Sequence, residues 1–322
     1  MLAGMSSTLQ AGRARRQQNL ALNHFGDTMS RYQSVHHCEP TMSKTSDTLN
    51  ALIEDRFGEP TRAGNHMPAE GELARLLARR THRQYTDQPI DDDLFYVLLA
   101  CGLSASSKSD LQQASIVVVD DADKRAQIAS WIPSMSWVAN APRLLVFCGD
   151  HSRLRIASEI RKKPFPNNNV DQFMNAAVDA ALVMQTFTLA AESVGLGCCP
   201  ISEVRSHIEV LSELLALPDH VFPIAGLCVG YPAREGFVSM RLPTSLTVHR
   251  DQYDASARAE KIDDYDQRRD QRFSIPQANQ KKTDRFGVAD FYGWSEDRTR
   301  QYSTPQRPGF LAYLKARGFA MA

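Results

Sequence analysis

The chain has 322 residues, 43% of them apolar, and its 37 lysines and arginines equal its 37 aspartates and glutamates. That length and apolar content allow one large or two smaller domains around a sizeable core. A balanced charge argues against a dedicated nucleic-acid binder, so basic groups are informative only where they cluster.

Residues 1–45 are polar and irregular, with three arginines and no acid in residues 1–26. That composition faintly resembles a transit peptide; a disordered leader, or a start codon placed too early, ahead of the more ordinary opening at Met42, reads it better. "SDTLNALIEDRFGE" (46–59) offers Ser46 as an N-cap, apolar residues at helical spacing and a Gly58 stop, which predicts a short accessory helix. After the linker "EPTRAGNHMP" the chain becomes globular at Glu70. A helix over 70–78 leads into "ARRTHRQYTD" (78–87), where Arg79, Arg80, His82 and Arg83 crowd up to four cations into five positions. A second helix, 91–103, opens with acids in its first turn. "SASSKS" (104–109) is either a flexible loop or a run of small hydroxyl residues over which a flat ligand approaches the backbone.

"ASIVVVD" (114–120), "RLLVFCGD" (143–150) and "VFPIAGLCVGYP" (221–232) read as strands, with helical segments 121–131, 151–161, 170–194 and 202–216 between them. Such alternation predicts α/β or α+β layers with helices covering a small sheet. In segment 170–194 Gln172, Asn175, Asp179 and Thr186 form a narrow polar stripe, and the rest is almost wholly apolar. It is expected to be buried nearly all round, in a core or at a subunit interface. Asp171, Asn175, Asp179 and Gln185 argue against a membrane span there. Half of residues 258–285 are charged, which predicts a mobile, solvated segment. Beyond it "FYGW" and "RPGFLAYLKARGF" carry anchors that must dock onto something.

Six cysteines in a chain this long are no disulfide framework. Cys101, Cys148 and Cys228 are expected as buried thiols, and the adjacent Cys198-Cys199 pair has no zinc spacing. His36-His37-Cys38 comes nearest to a metal cluster but lacks a second ligand pair, so no metal is expected. "GLGCCP" fails as a dinucleotide loop at its last position, and no Walker loop or G-x-S-x-G elbow occurs. A soluble, cytoplasmic protein is expected.

Five segments in order, "RRTHRQYTDQPI", "SASSKSDLQQASIVVVDD", "AAESVGLGCCPI", "GLCVGYP" with "MRLPTS", and "RPGFLAYL…GF", resemble the nitroreductase family of FMN-dependent oxidoreductases. The nearest branch is that of the NADPH-dependent, oxygen-insensitive nitroreductases and NADPH-flavin oxidoreductases. The resemblance begins near Glu70. It implies an α+β sandwich, a mostly antiparallel sheet covered by helices, in an intertwined homodimer with a C-terminal arm. The chain then divides into an N-terminal extension (1–65, partly disordered), an FMN-binding domain (66–257), and a charged mobile segment with the arm (258–322).

By the same resemblance, Arg79, Arg80 and Thr81 fall on positions that take the FMN phosphate, and Arg241 on a second phosphate arm. Arg83 falls beside the flavin N1/O2 edge and Ser107 on a serine contact with the flavin. A phosphate dianion would offset the repulsion among these guanidinium groups, and an arginine near N1, which keeps its proton, favours the reduced flavin. Arg205 and Arg307 fall on substrate-side arginines. Arg285 falls on the arginine for the NADPH 2′-phosphate, with Lys281 and Lys282 beside it in what is either a closing loop or a solvated one.

The departures are grouped. Ser239 replaces a lysine of the second phosphate arm, and Met135 (or Ser134) replaces a glutamine at the flavin edge. Pro200-Ile201-Ser202-Glu203 replaces the turn near flavin N5, and Asp110 replaces an apolar aromatic on the substrate side. They imply either an altered second substrate or drift in a promiscuous enzyme. The expected activity is ping-pong transfer of two electrons from NADPH or NADH through FMN to a nitroaromatic or quinone, with no protein nucleophile. The alternatives are a flavin reductase, a reductive dehalogenase-like enzyme, or a flavin-binding dimer without turnover.

Overall fold

The two longest strand-like runs set the centre of the fold in the computed structural model, which describes residues 47–320. β2 (Arg143–Asp150) and β4 (Val221–Gly230) are buried along almost their whole lengths. Runs without polar alternation belong where both faces of a sheet are covered. β1 (Ala114–Val118) and β3 (Gly197–Ile201) flank them, giving the order β1-β2-β4-β3 with every pair antiparallel. The register slips between Phe147 and Cys148, which pair with Ala225 and Pro223 and leave Ile224 over as a bulge. Pro223 has no N–H for a ladder, so a bulge is where a central strand tolerates it. β3 was not expected, because its sequence GCCPI has one β-branched residue and a proline; Pro200 is exposed on the sheet edge, where the missing donor does no harm.

Helices cover both faces, so the expected α+β sandwich is what forms. On one face lie α3 (Asp92–Leu103) and α6 (Val170–Ser193), with Phe95, Ala176, Ala180 and Phe187 packed on Leu145, Phe147 and Leu227. On the other face α4 (Ala122–Trp131) brings Ile128 against Leu144, Val146 and Cys228. α5 (Ser152–Ile160) follows β2. The segment expected as one helix over 202–216 divides into a 3-10 turn, Glu203–His207, and α7 (Ile208–Leu214). Among the described residues α6 alone is long and apolar enough to cross a membrane, but it packs on the sheet and carries a buried carboxylate, Asp179. Its burial is one-sided: Val170, Met174, Val178 and Leu182, four residues apart, form an exposed stripe.

The N-terminal helix begins later than expected. α1 (Leu49–Phe57) is preceded by Thr48, and no side chain caps it. Its end agrees: Gly58, at φ 67°, turns the chain in the left-handed region and returns its N–H to Glu54 O. Leu49 and Leu52 pack on Ala74 of α2 (Gly71–Ala78). Cys101 is exposed, not buried, whereas Cys148 and Cys228 are buried as expected. His36, His37 and Cys38 lie outside the described residues.

The largest correction concerns residues 258–285. They contain a 16-residue helix, α8 (Arg258–Phe273), in place of a solvated loop. Two inward residues suffice to dock it: Tyr265 is buried with its hydroxyl on Met240 O at 3.0 Å, and Asp266 is 3% exposed. Asp266 accepts from Ser295 N (3.1 and 3.2 Å) in the first turn of α9 (Trp294–Tyr302). A Cβ on Gly293 would lie 2.6 Å from the same carboxylate, so only glycine lets it approach. The tail, α10 (Phe310–Ala316), is not an extended arm: Tyr313, Leu314 and Phe319 enter the chain's own core, with Tyr313 Oη 2.7 Å from Ser212 Oγ.

Asp266→Ala should therefore lower the unfolding free energy by about 1–3 kcal/mol in a urea titration, because it leaves the half-buried donors of Ser295 unpaired. A change inside ±0.5 kcal/mol would show that Asp266 is not needed to hold α8.

Candidate active site

The basic turn after α2 runs extended beside the sheet. His82 N donates to Cys198 O (3.1 Å), Thr86 N to Tyr231 O (2.9 Å), and Ala233 N to Gln84 O (3.0 Å). Alternation along this ribbon sends its side chains to different places. His82 turns inward against Gly197, and burial, then Arg80 and Arg79, hold its pKa below the ordinary value. It is neutral at neutral pH and leaves the cationic cluster.

Arg79 and Arg80 each meet a carboxylate. Arg79 forks onto Glu192 near the end of α6, at 3.2 and 2.8 Å. Arg80 pairs with Glu235 and also donates to Gly236 O (3.0 Å) and Ala78 O (3.2 Å). The carbonyl of Thr81 lies against Gly236 as well. Residues 235–236 thus bring the late chain up to the turn, and the 239–241 arm follows it.

A third guanidinium stands at the junction, one that no sequence signal marked. Arg56, in the last turn of α1, is 5% exposed. It donates to Leu77 O from Nε (3.0 Å) and Nη2 (2.7 Å), to Arg79 O from Nη2, and to Ser239 O from Nη1 (2.9 Å). Its own carbonyl accepts from Arg241 N at 2.7 Å. Burial first, then Arg241, Arg79 and Arg80, push its pKa down to about 10. Arg56, Arg79, Arg80 and Arg241 against Glu192 and Glu235 leave two positive charges uncompensated among the described residues at this junction.

Arg83 faces elsewhere. It is exposed, its guanidinium 5.6 Å from the Trp137 ring centroid, and with Trp137 it opposes the rise that burial imposes on the Cys199 thiol. Met135, two residues before Trp137, is partly buried and packs into the lower core. Trp137 carried no signal in the sequence beyond being aromatic.

The serine loop has its own anchor. Asp179, on α6, accepts from Ser107 Oγ (2.7 Å), Lys108 N (3.1 Å) and Gln113 N (3.1 Å), while Ser107 Oγ also accepts from Gln112 N (2.7 Å). This set holds the backbone in the left-handed region at Ser109, Asp110 and Gln112. Burial pushes the Asp179 carboxyl up, but the Ser107, Lys108 and Gln113 donors outweigh it and hold it below the ordinary value. The polar stripe of α6, visible in the sequence, is in part this anchor. No hydrogen bond, ion pair or ring contact among the described residues joins the loop to the arginine turn.

Past β3 the structure joins Ser202, Glu203, Arg205 and Arg307. Arg307 donates to Ser202 O (3.1 Å) and Glu203 (3.3 Å), and Arg205 donates to Ile224 O (2.9 Å). Burial, then the neighbouring Arg307, lowers the Arg205 pKa against an opposing contribution from Tyr302. Pro200 and Ile201 end β3, with Ile201 buried. The basic residues of the expected loop are packed on α9. Lys281 bonds the buried Asp297 (2.9 Å), Lys282 reaches Ser303 and Thr304 (3.0 and 2.9 Å), and Arg285 donates to Ser303 O (3.3 Å).

Residues 76–231 match the model of the nitroreductase family and residues 239–322 that of its C-terminal domain. The chain belongs to the nitroreductase family. It is 33% identical over 245 residues to the NADPH-flavin oxidoreductase of Vibrio harveyi, covering 76% of this chain and 96% of the relative. It is 32% identical over 251 residues to the oxygen-insensitive NADPH nitroreductase of Salmonella typhimurium, covering 76% and 96%. Among solved structures, the Vibrio harveyi NADPH:FMN oxidoreductase complexed with NAD+ superposes with a TM-score of 0.66 at 32% identity, over 77% of this chain and 97% of that one. Nitroreductase A of Vibrio parahaemolyticus matches with the same TM-score, identity and coverage. Both family models begin after α1, so Arg56 stands outside the matched residues.

The Asp179 anchor gives a pH test of this nitroreductase's serine loop. A carboxylate held below its ordinary value stabilises the fold above that value and loses the contribution as pH falls through the depressed one. Asp179→Asn should thus cost about 1.5–3 kcal/mol at neutral pH, and the gap from wild type should narrow as the pH falls below the ordinary aspartate value. A gap that stays constant across that range would show that the charge of Asp179 has no part in holding the loop.

Proposed function

We propose that this chain is an FMN-dependent NAD(P)H oxidoreductase that passes two electrons from a nicotinamide to a small acceptor, a nitroaromatic or a quinone, by a ping-pong route. The observation that carries the reading is the junction of Arg56, Arg79, Arg80 and Arg241, whose two uncompensated positive charges equal the charge of a phosphate monoester dianion. When bound, FMN supplies the redox chemistry, accepting hydride from NAD(P)H and releasing the electron pair to the acceptor. The chain's own residues bind and orient it. Arg79, Arg80, Thr81 and Arg241 hold the phosphate; Arg83 offers a fixed cation to charge that arises only on reduction; Ser107 lends its loop to the ring system.

A homodimer is part of the reading. The stripe Val170, Met174, Val178 and Leu182 is exposed, as are other apolar side chains, Leu73, Leu76 and Leu103 among them, and a second copy would cover the stripe. The absence of contacts between serine loop and arginine turn supports the same conclusion, since a second copy could bring its loop to the first copy's turn. A soluble, cytoplasmic protein without metal or nucleic-acid partner completes it. Met135, packed into the core and without a polar group for a flavin edge, favours as second reading a flavin-binding dimer without turnover.

One experiment separates the two. The purified protein should bind FMN, and anaerobic NADPH should bleach the bound flavin; a subsequent nitroaromatic or quinone should restore its colour. Bound flavin that NADPH leaves yellow would overturn the enzyme in favour of the binder.

Discrimination between the dinucleotides requires a cation at the 2′-phosphate, and Arg285 with Lys282 is assigned to it. Lys281 is withdrawn from that role, because it neutralises the buried Asp297. The Lys282→Ala, Arg285→Ala variant should raise KM for NADPH several-fold at low salt, leave KM for NADH within twofold, and differ less from wild type at high salt. An equal rise for both dinucleotides would move the 2′-phosphate site elsewhere.

A further inference from the structure

We propose that Arg56, contributed by the helix that precedes the family-matched residues, is a positioning residue that assembles the phosphate site by tying its two chain segments together. The inference rests on the FMN reading above and adds to it a component from outside the matched fold.

The two segments, 77–81 and 239–241, are about 160 residues apart in sequence; the first is the end of α2 with the turn after it, the second a loop. Arg56 is bonded to both. Its fork holds the carbonyls of Leu77 and Arg79 on one side and that of Ser239 on the other, and its own carbonyl receives Arg241 N. Four of its five N–H groups are engaged by these carbonyls, so it is a brace and not itself the main anion ligand. The brace aligns the backbone from which Arg79, Arg80 and Arg241 extend, and its charge adds to theirs. This matters most here, because Ser239 supplies no cation to the second arm.

α1 is itself fastened well enough to act as a fixed point. Leu49 and Leu52 pack on Ala74 of α2. Glu59 pairs with Arg268 (3.0 Å), and Asp55 O accepts from Arg272 (2.8 Å), both arginines lying on α8. The Met240 thioether fills the space where a Cβ on Gly58 would stand, 2.7 Å away. Turn, arm and both helices thus converge on the last turn of α1.

Affinities for FMN and for riboflavin, which lacks the phosphate, isolate the effect when measured by quenching of flavin fluorescence on the full chain. Wild type should bind FMN far more tightly than riboflavin. Arg56→Gln should shrink that preference at least tenfold while changing riboflavin affinity less than threefold. A merely structural role would weaken both flavins alike and would overturn the proposal, as would an undiminished preference. Arg56→Lys keeps the charge and suits a background in which the glutamine variant folds poorly. Its single ammonium cannot span three carbonyls, so the preference should again fall at least fivefold; full retention by lysine would show that charge alone is at work and that no brace exists. A wild type without preference for FMN over riboflavin would instead remove the phosphate reading itself.

Discussion

Guanidinium groups brought to one place repel one another, and the arrangement of the chain around its basic turn answers that constraint. Arg79 and Arg80 each lean on a glutamate brought from a distant element. Arg56 is dehydrated and surrounded by carbonyl oxygens, whose dipoles offset part of what desolvation and three like charges impose on it. His82 escapes the repulsion by being neutral. The compensation is incomplete by two charges. On the proposed reading, this incomplete compensation is what would let the place take an anion instead of closing as a salt-bridge network.

The layered fold exists to bring those groups together. β3 carries Cys198, whose carbonyl fixes the ribbon through His82 N; the end of β4 carries Tyr231, which fixes it again at Thr86. α6 presents Glu192 at one end and Asp179 nearer its middle, so one helix supplies the counter-charge of the arginine turn and the anchor of the serine loop. Burial of its inner face against the sheet makes both carboxylates fixed points, and hydrogen bonds to fixed charges are the ones that resist solvent.

Much of this was legible in the sequence where one physical signal dominated a segment. The helices at 71–78, 92–103 and 170–193 and strands β1, β2 and β4 follow from apolar runs and periodicities long enough to outweigh their surroundings. β3 was not legible, since GCCPI is a strand only by pairing with β4. α8 was hidden by its charge: Tyr265 and Asp266 dock it, and composition averages such anchors away. The arginines of the turn were found because they are adjacent and because the family resemblance placed them. Glu192, Glu235 and Arg56 were not, because their relation to the turn is purely tertiary. The basic residues 281–285 were read as loose for the reason that hid α8; their partners on α9 and just past its end lie up to 22 residues further on.

The partnered state of Arg79 and Arg80 also bears on how an anion would be accommodated. Each guanidinium has five donors in a plane, and Arg79 directs two of them at Glu192. A phosphate can therefore join such a pair through the remaining donors without expelling the carboxylate, and the glutamates then act as supports that fix each fork in its orientation. Ordering long side chains in advance removes part of the entropy that a ligand would otherwise have to overcome. Arg241, for which the described residues offer no carboxylate, is the opposite case: its side chain is exposed. On the proposed reading the site would combine two pre-set arms with one exposed arm, and the Arg56 brace would determine whether they face the same point.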